Sequence, residues 1–160
     1  VGVGDQPTLD LDGWSPDLPR VASIHVAKGR RLPMRAVDEV YAEAGRGLVG
    51  DRYHGAKHRH VSVQSLTSLA DAAERYGAEV PAHLTRRNVT LTEGEIPTTP
   101  GTRLRVGEAL LEVVRVAAPC KLLDDTIGVG AQHALRHRGG SVFRVLESGT
   151  VRVGDQVEPV

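Results

Sequence analysis

Short segments of alternating apolar and polar residues, each closed by a glycine or proline turn, recur along most of this chain. That spacing restricts it to a β-rich fold. In VASIHVA (21–27), Ala22, Ile24 and Val26 share one parity, the period of a half-buried strand. HVSVQS (60–65), NVTLT (88–92) and TRLRVG (102–107) repeat the pattern, and ALLEVVRVA (109–117) is a longer, valine-rich run. SVFRVLESG and TVRVGDQVEPV close the sequence and are expected to form a hairpin turning on Ser148-Gly149. Short strands punctuated by EGEIP, TTPGT, VGEA and VGDQ predict a barrel or a sandwich. Two helices interrupt them. In SLTSLADAAERYG the residues Leu66, Leu69, Ala70, Ala73 and Tyr76 follow helical spacing, with Ser65 as N-cap and Gly77 as the stop. A shorter helix is expected in VGAQHALRH, ending at Gly139-Gly140. The expected fold class is therefore mainly β and barrel-like, with a few peripheral helices.

A length of 160 residues predicts one domain with a sizeable core. Residues 1–20, rich in Asp, Gly and Pro, read as a leader or arm, and 21–160 as the domain proper. Twenty basic residues balance twenty acidic ones. That balance argues against a chain built to coat nucleic acid or an anionic membrane, while leaving room for a local basic pocket. Aromatic residues make up 3% of the chain, too few for base-stacking platforms. No apolar run is long enough to span a bilayer, and VGVGDQPTLDLDG lacks the charged and apolar regions of a secretory signal. The single cysteine, Cys120, cannot form an internal disulfide, so a reducing cytoplasm is the expected location.

Cys120 is the first candidate for chemistry. A free cysteine is often a small buried hydrophobe. Cys120, however, follows a valine-rich strand and Pro119, which ends strand pairing, so it is expected on a loop at a strand end. Lys121 and Arg115 are cations that favour the reactive thiolate. A second candidate is GRGLVGDRYHGAKHRHVSV (45–63), where glycines allow close backbone approach and Asp51, Arg52, His54, Lys57, His58, Arg59 and His60 crowd together. Cations beside exposed backbone N–H groups suit an anion such as phosphate, and a solvated loop with an Asp–Arg pair is the plain alternative. His54, His58 and His60, or the i, i+4 pair His133 and His137, also have metal-ligand spacings, although no HExxH pattern accompanies them. Third, Arg86, Arg87 and Asn88 immediately precede a strand, where guanidinium and amide groups suit phosphate and heterocycle recognition.

Taken in order, GLVGDRYHG (47–55), RHVSVQS, RRNVTLTEG (86–94), GTRLRVGEALLEV (101–113), PC (119–120) and GGSVFRVLESGTVRVGDQVE resemble the MOSC domain, named for the C-terminal domain of molybdenum cofactor sulfurase. The likeness is to the small standalone bacterial members and runs from about residue 21 to the end. It implies a β-barrel-like MOSC fold with peripheral helices. It implies that Cys120 is reactive, carrying sulfur as a persulfide or ligating molybdenum through its thiolate. It implies a molybdenum cofactor (molybdopterin) whose anionic phosphate meets Arg86 and Asn88, with Asp51 and Arg52 shaping the pocket and Arg59 and Lys121 adding charge. The expected activity is reduction of N-hydroxylated compounds, with a redox partner and a small-molecule substrate. Here Tyr53 stands between the GDR motif and His54, where the family often has histidine directly. His54 or His60 is a candidate proton donor, since histidine titrates near neutrality.

Three other readings stand beside this one. Cys120 could instead accept sulfur from a cysteine desulfurase and pass it on as a persulfide. The chain could be a non-enzymatic module that captures anions, with Cys120 in the core. Or the histidines could hold a metal in a cupin-like barrel.

Overall fold

The computed structural model describes residues 18–160, so most of the expected leader, including Trp14, lies outside the described residues. In chain order the strands are β1 (Val21–Val26), β2 (Arg35–Val37), β3 (Glu39–Glu43), β4 (Gly47–Leu48), β5 (Val61–Ser65), β6 (Val89–Leu91), β7 (Arg103–Val106), β8 (Ala109–Val116), β9 (Ser141–Glu147), β10 (Gly149–Arg152) and β11 (Val157–Pro159). The helices are α1 (Leu66–Tyr76), α2 (Leu122–Thr126) and α3 (Ala131–Ala134), with one 3₁₀ turn at Ala82–Leu84. The protein is mainly β, as the turn-punctuated alternation predicts.

Eight strands form one sheet in the order β11-β7-β8-β9-β5-β6-β1-β2, and β10-β3-β4 form a second. The large sheet curls without closing strand to strand. An isolated bridge between Arg20 and Gln156, with Val21 N–H donating to the Asp155 carbonyl, laces its far regions together, so the shape is barrel-like only loosely. Apolar side chains from both sheets fill the interior, with Ile24, Leu48, Leu111 and Phe143 among the largest fully buried.

All pairings but one are antiparallel. The exception is β5 with β6, registered Val63 to Val89. Parallel neighbours need a crossover, and α1 provides it. Ser65 accepts a hydrogen bond from Ser68 N–H at the helix start, and Gly77 closes the other end at φ 86°, both as the sequence predicts. Leu69 and Ala72 of α1 pack with Val80, Leu123, Ala131 and Leu135 in a second, smaller core. An Arg138–Asp71 ion pair also ties α1 to the turn after α3. That small core braces the segment that carries Cys120.

The expected hairpin on Ser148-Gly149 does not form. β9 pairs with β5 and β8, whereas β10 leaves to pair with β3. Gly149 is the crossing point. A Cβ there would meet the Glu108 backbone and its Cβ, the last at 2.6 Å, so only glycine lets the chain change sheets against β8. The strands β2 to β4 escape sequence reading because they are two to five residues long. In β3 only Val40 and Ala42 face inward.

Interior polar groups fix the register. Asn88 Oδ1 accepts from Ser62 N–H at 3.0 Å and from its hydroxyl, while Asn88 Nδ2 donates to the His25 carbonyl at 3.0 Å. One amide thus pins β1, β5 and the start of β6. His60 does the same between β5 and β9. Val145 N–H donates to His60 Nδ1, so the ring's hydrogen sits on Nε2 and donates to the Ala56 carbonyl.

Asn88→Ala strands buried backbone groups and lowers stability by about 2–3 kcal/mol in urea unfolding, without a change in m. Burial holds His60 below its ordinary value of 6.5, and His25 likewise. The unfolded chain therefore takes up protons first as pH falls below 6.5. Stability is full above that value and declines until the folded-state pKa is passed. Unfolding measured from about pH 7.5 to about pH 5 will show this loss, and His60→Gln will make it shallower.

Candidate functional site

The end of β1, the loop before β5, the start of β6 and the segment after β8 meet around one cleft of about 610 Å³. Cys120 lies on its edge and is exposed, not buried in a core. β8 ends at Val116, three residues before Pro119, and the Cys120 carbonyl accepts from Leu123 N–H at 3.0 Å to begin α2. Lys121 follows at the α2 N-cap position and lines the cleft.

The other walls are cationic. The loop after β1 contributes Arg30 and Arg31, and the loop before β5 contributes Arg52 and Arg59. Arg86 and Arg87 come from the turn into β6. With Lys121 that makes seven cations against one carboxylate, Asp125. Among the described residues only Arg52 of the seven is ion-paired, to Asp51 at 3.1 Å. A chain with no net charge has thus concentrated positive charge in one concave place, which focuses its field there.

Asp51 works beneath the cleft. It is buried, and its Oδ1 accepts from Ala27 N–H at 3.0 Å while Oδ2 accepts from Tyr53 N–H. It fastens the GDR turn to the end of β1 and orients Arg52. The Arg52 and Arg59 guanidiniums lie over the Tyr53 ring, 4.6 and 4.3 Å from its centroid. Such stacking holds two like charges close together on one aromatic surface. The Nε atoms of Arg52 and Arg59 are buried without a hydrogen-bond partner. These orphaned donors in a cation-lined cleft are suited to an anionic ligand.

Burial presses on these cations. It lowers Arg59 and Arg86, and it pushes Arg87 down to about 10, with nearby Arg59 adding repulsion and Cys120 opposing the shift. Arg87 still carries its charge at neutral pH. Its Nε donates to the Gly139 carbonyl at 2.9 Å and its Nη2 to the Ala118 carbonyl at 3.2 Å.

The structure sorts the sequence candidates. It brings Cys120, Arg52, Arg59, Arg86 and Lys121 to the same cleft. Asp51 supports the cleft from below, and Asn88 lies in the interior with its amide spent on Ser62 and His25. His54 pairs with Glu43 at 2.9 Å and does not line the cleft. His60 is 2% exposed with both ring nitrogens bonded. Among the described residues no group of three or more His, Cys, Asp or Glu converges as a metal site would require. Reading from sequence passed over Arg30, Arg31 and Asp125. A run of basic residues directly after the β1 pattern, KGRRLPMR, is the signal that could have marked the first two.

The comparisons agree with this geometry. The MOSC domain family matches residues 50–158. No curated protein matches the sequence. YuaD from Bacillus subtilis shares the fold with a TM-score of 0.79 at 16% identity, over 87% of this chain and 93% of that one. YiiM from Geobacillus stearothermophilus gives 0.69 at 21% identity, over 89% and 75%. YiiM from Escherichia coli gives 0.67 at 21% identity, over 89% and 70%. Among the described residues no helix is long and apolar enough to cross a membrane.

If the cleft is an anion site, pyrophosphate titrated by calorimetry will bind at low salt and weaken as salt rises. Arg59→Ala will weaken it about tenfold, the effect of losing one net hydrogen bond to a charged group. The family match over 109 residues (50 to 158), with the fold and the order of motifs in agreement, makes this chain a member of the MOSC domain family.

Proposed function

We propose that this chain binds the molybdenum cofactor in the cationic cleft, with the Cys120 thiolate as the protein's sulfur ligand, and reduces N-hydroxylated compounds. The observation that carries the reading is the coincidence of an exposed cysteine with seven cations and one carboxylate around a single cleft. The donor set fits the group. Cations and orphaned guanidinium donors suit a pterin phosphate, and Tyr53 presents an aromatic surface to a heterocycle. A thiolate is a soft ligand suited to a transition metal.

When bound, the cofactor supplies two-electron redox chemistry beside Cys120. The chain's own residues do the rest. Arginines and Lys121 neutralise the anion and orient it. Reduction of an N–OH group to N–H consumes two electrons and two protons and releases water. The electrons come from a redox partner. His54 and His60 lie away from the cleft lining, so protons reach it from solvent or from a lining group such as Tyr53.

A second reading is favoured by the exposure of Cys120. A cysteine desulfurase persulfide can transfer its terminal sulfur to the Cys120 thiolate, returning the donor to a thiol. The capture of anions alone, without catalysis, is the remaining alternative.

Protein from a host competent in cofactor synthesis is expected to contain molybdenum and to reduce N-hydroxylated bases, and Cys120→Ser to lose both. Absence of molybdenum with these bases left unreduced contradicts the reductase reading. A removable gain of about 32 Da on Cys120 after incubation with cysteine and a desulfurase would then support sulfur carriage.

A further inference from the structure

The hydrogen bonds of the RRN arginines point away from ligand contact. Arg86 directs both terminal nitrogens at main-chain carbonyls, Nη1 at Leu32 (2.5 Å) and Nη2 at Arg30 (2.7 Å). Those carbonyls belong to the exposed loop that carries Arg30 and Arg31 over the cleft. Arg52 adds to the same clamp, donating from Nη2 to the Arg86 carbonyl and from Nη1 to Met34 Sδ. Arg87 reaches another wall, to the carbonyls of Gly139 and of Ala118, two residues before Cys120. Arg86 sits at φ 67°, a left-handed conformation that a non-glycine residue keeps only when its surroundings fix it.

Both lips present like charge, Arg30 and Arg31 on one and Lys121 on the other. The loop after β1 has little regular pairing of its own. A planar guanidinium can bond two carbonyls at once, whereas a lysine ammonium is a point donor on a flexible stem. We propose that Arg86 and Arg87 are positioning residues, each holding one lip of the cleft, and that an anion in the cleft is met by Arg31, Arg59 and Lys121. The ligand half of this rests on the cleft being an anion site; the lip-holding half does not.

Hydrogen exchange of the ligand-free protein separates the two halves. Arg86→Lys is expected to speed exchange of the Leu32 amide, which is bonded to the Gly29 carbonyl, about tenfold, the effect of about one lost hydrogen bond, and to leave the Ala117 amide, bonded to the Gly140 carbonyl, unchanged. Arg87→Lys is expected to do the reverse. If Arg87→Lys fails to fold, Arg87→Gln, which keeps a neutral donor, is measured in its place. Each variant binds pyrophosphate more weakly, and saturating pyrophosphate restores lip protection. Arg31→Ala weakens pyrophosphate with exchange unchanged. Unaltered exchange of the Leu32 amide in Arg86→Lys overturns the proposal, and loss of pyrophosphate with it would make Arg86 a direct ligand. Loosened lips in a protein whose wild type binds no pyrophosphate would keep the struts and overturn the ligand half.

Discussion

A guanidinium at 5% exposure, bonded to two carbonyl oxygens and to no carboxylate, is the constraint on which this site depends. Burying Arg87 unpaired carries a desolvation penalty that two carbonyl bonds offset only in part. The fold tolerates it because the start of β6, the turn after α3 and the segment after β8 converge on that one side chain. Remove the turn after α3 or the segment after β8 and the charge loses one of its two carbonyl partners. The same convergence places Cys120 at the cleft edge, so the site's geometry and the buried cation have a common cause.

The architecture supplies the rest. The single parallel pair, β5 with β6, brings the RRN turn alongside the loop that carries Arg52, Tyr53 and Arg59. Asn88 and His60 fix the register that makes this alignment possible. The small helical core under α1, α2 and α3 then supports the Cys120 segment from behind. Stability and site are built from neighbouring residues, which is why polar side chains in the interior cluster where the cleft begins.

Much of this was legible in the sequence. Strand alternation gave the β-rich class, and Ser65 and Gly77 bounded α1 correctly because capping is local chemistry. The valine-rich run followed by Pro119 places Cys120 on the loop just beyond a strand, and β8 indeed ends at Val116. What sequence could not yield were long-range choices. Gly149 looked like a hairpin turn, but its use as a sheet crossing depends on Glu108, 41 positions earlier. Asn88 looked like a ligand because an amide beside arginines is ambiguous until its partners, Ser62 and His25, are known. His54 and His60 were attractive by residue type, yet Glu43 and the Ala56 and Val145 backbones occupy them. The motif order identified the family as a whole, while the division of labour within each motif emerged only from three-dimensional partners.

The thiol and the cationic cleft form one site. The direct measurement is the rate of Cys120 alkylation as pyrophosphate is titrated, alongside the rise in melting temperature that binding to the folded state produces. One site predicts that alkylation slows as the protein is stabilised, with both effects half-complete at the same concentration. Stabilisation by pyrophosphate with an unchanged alkylation rate would contradict it.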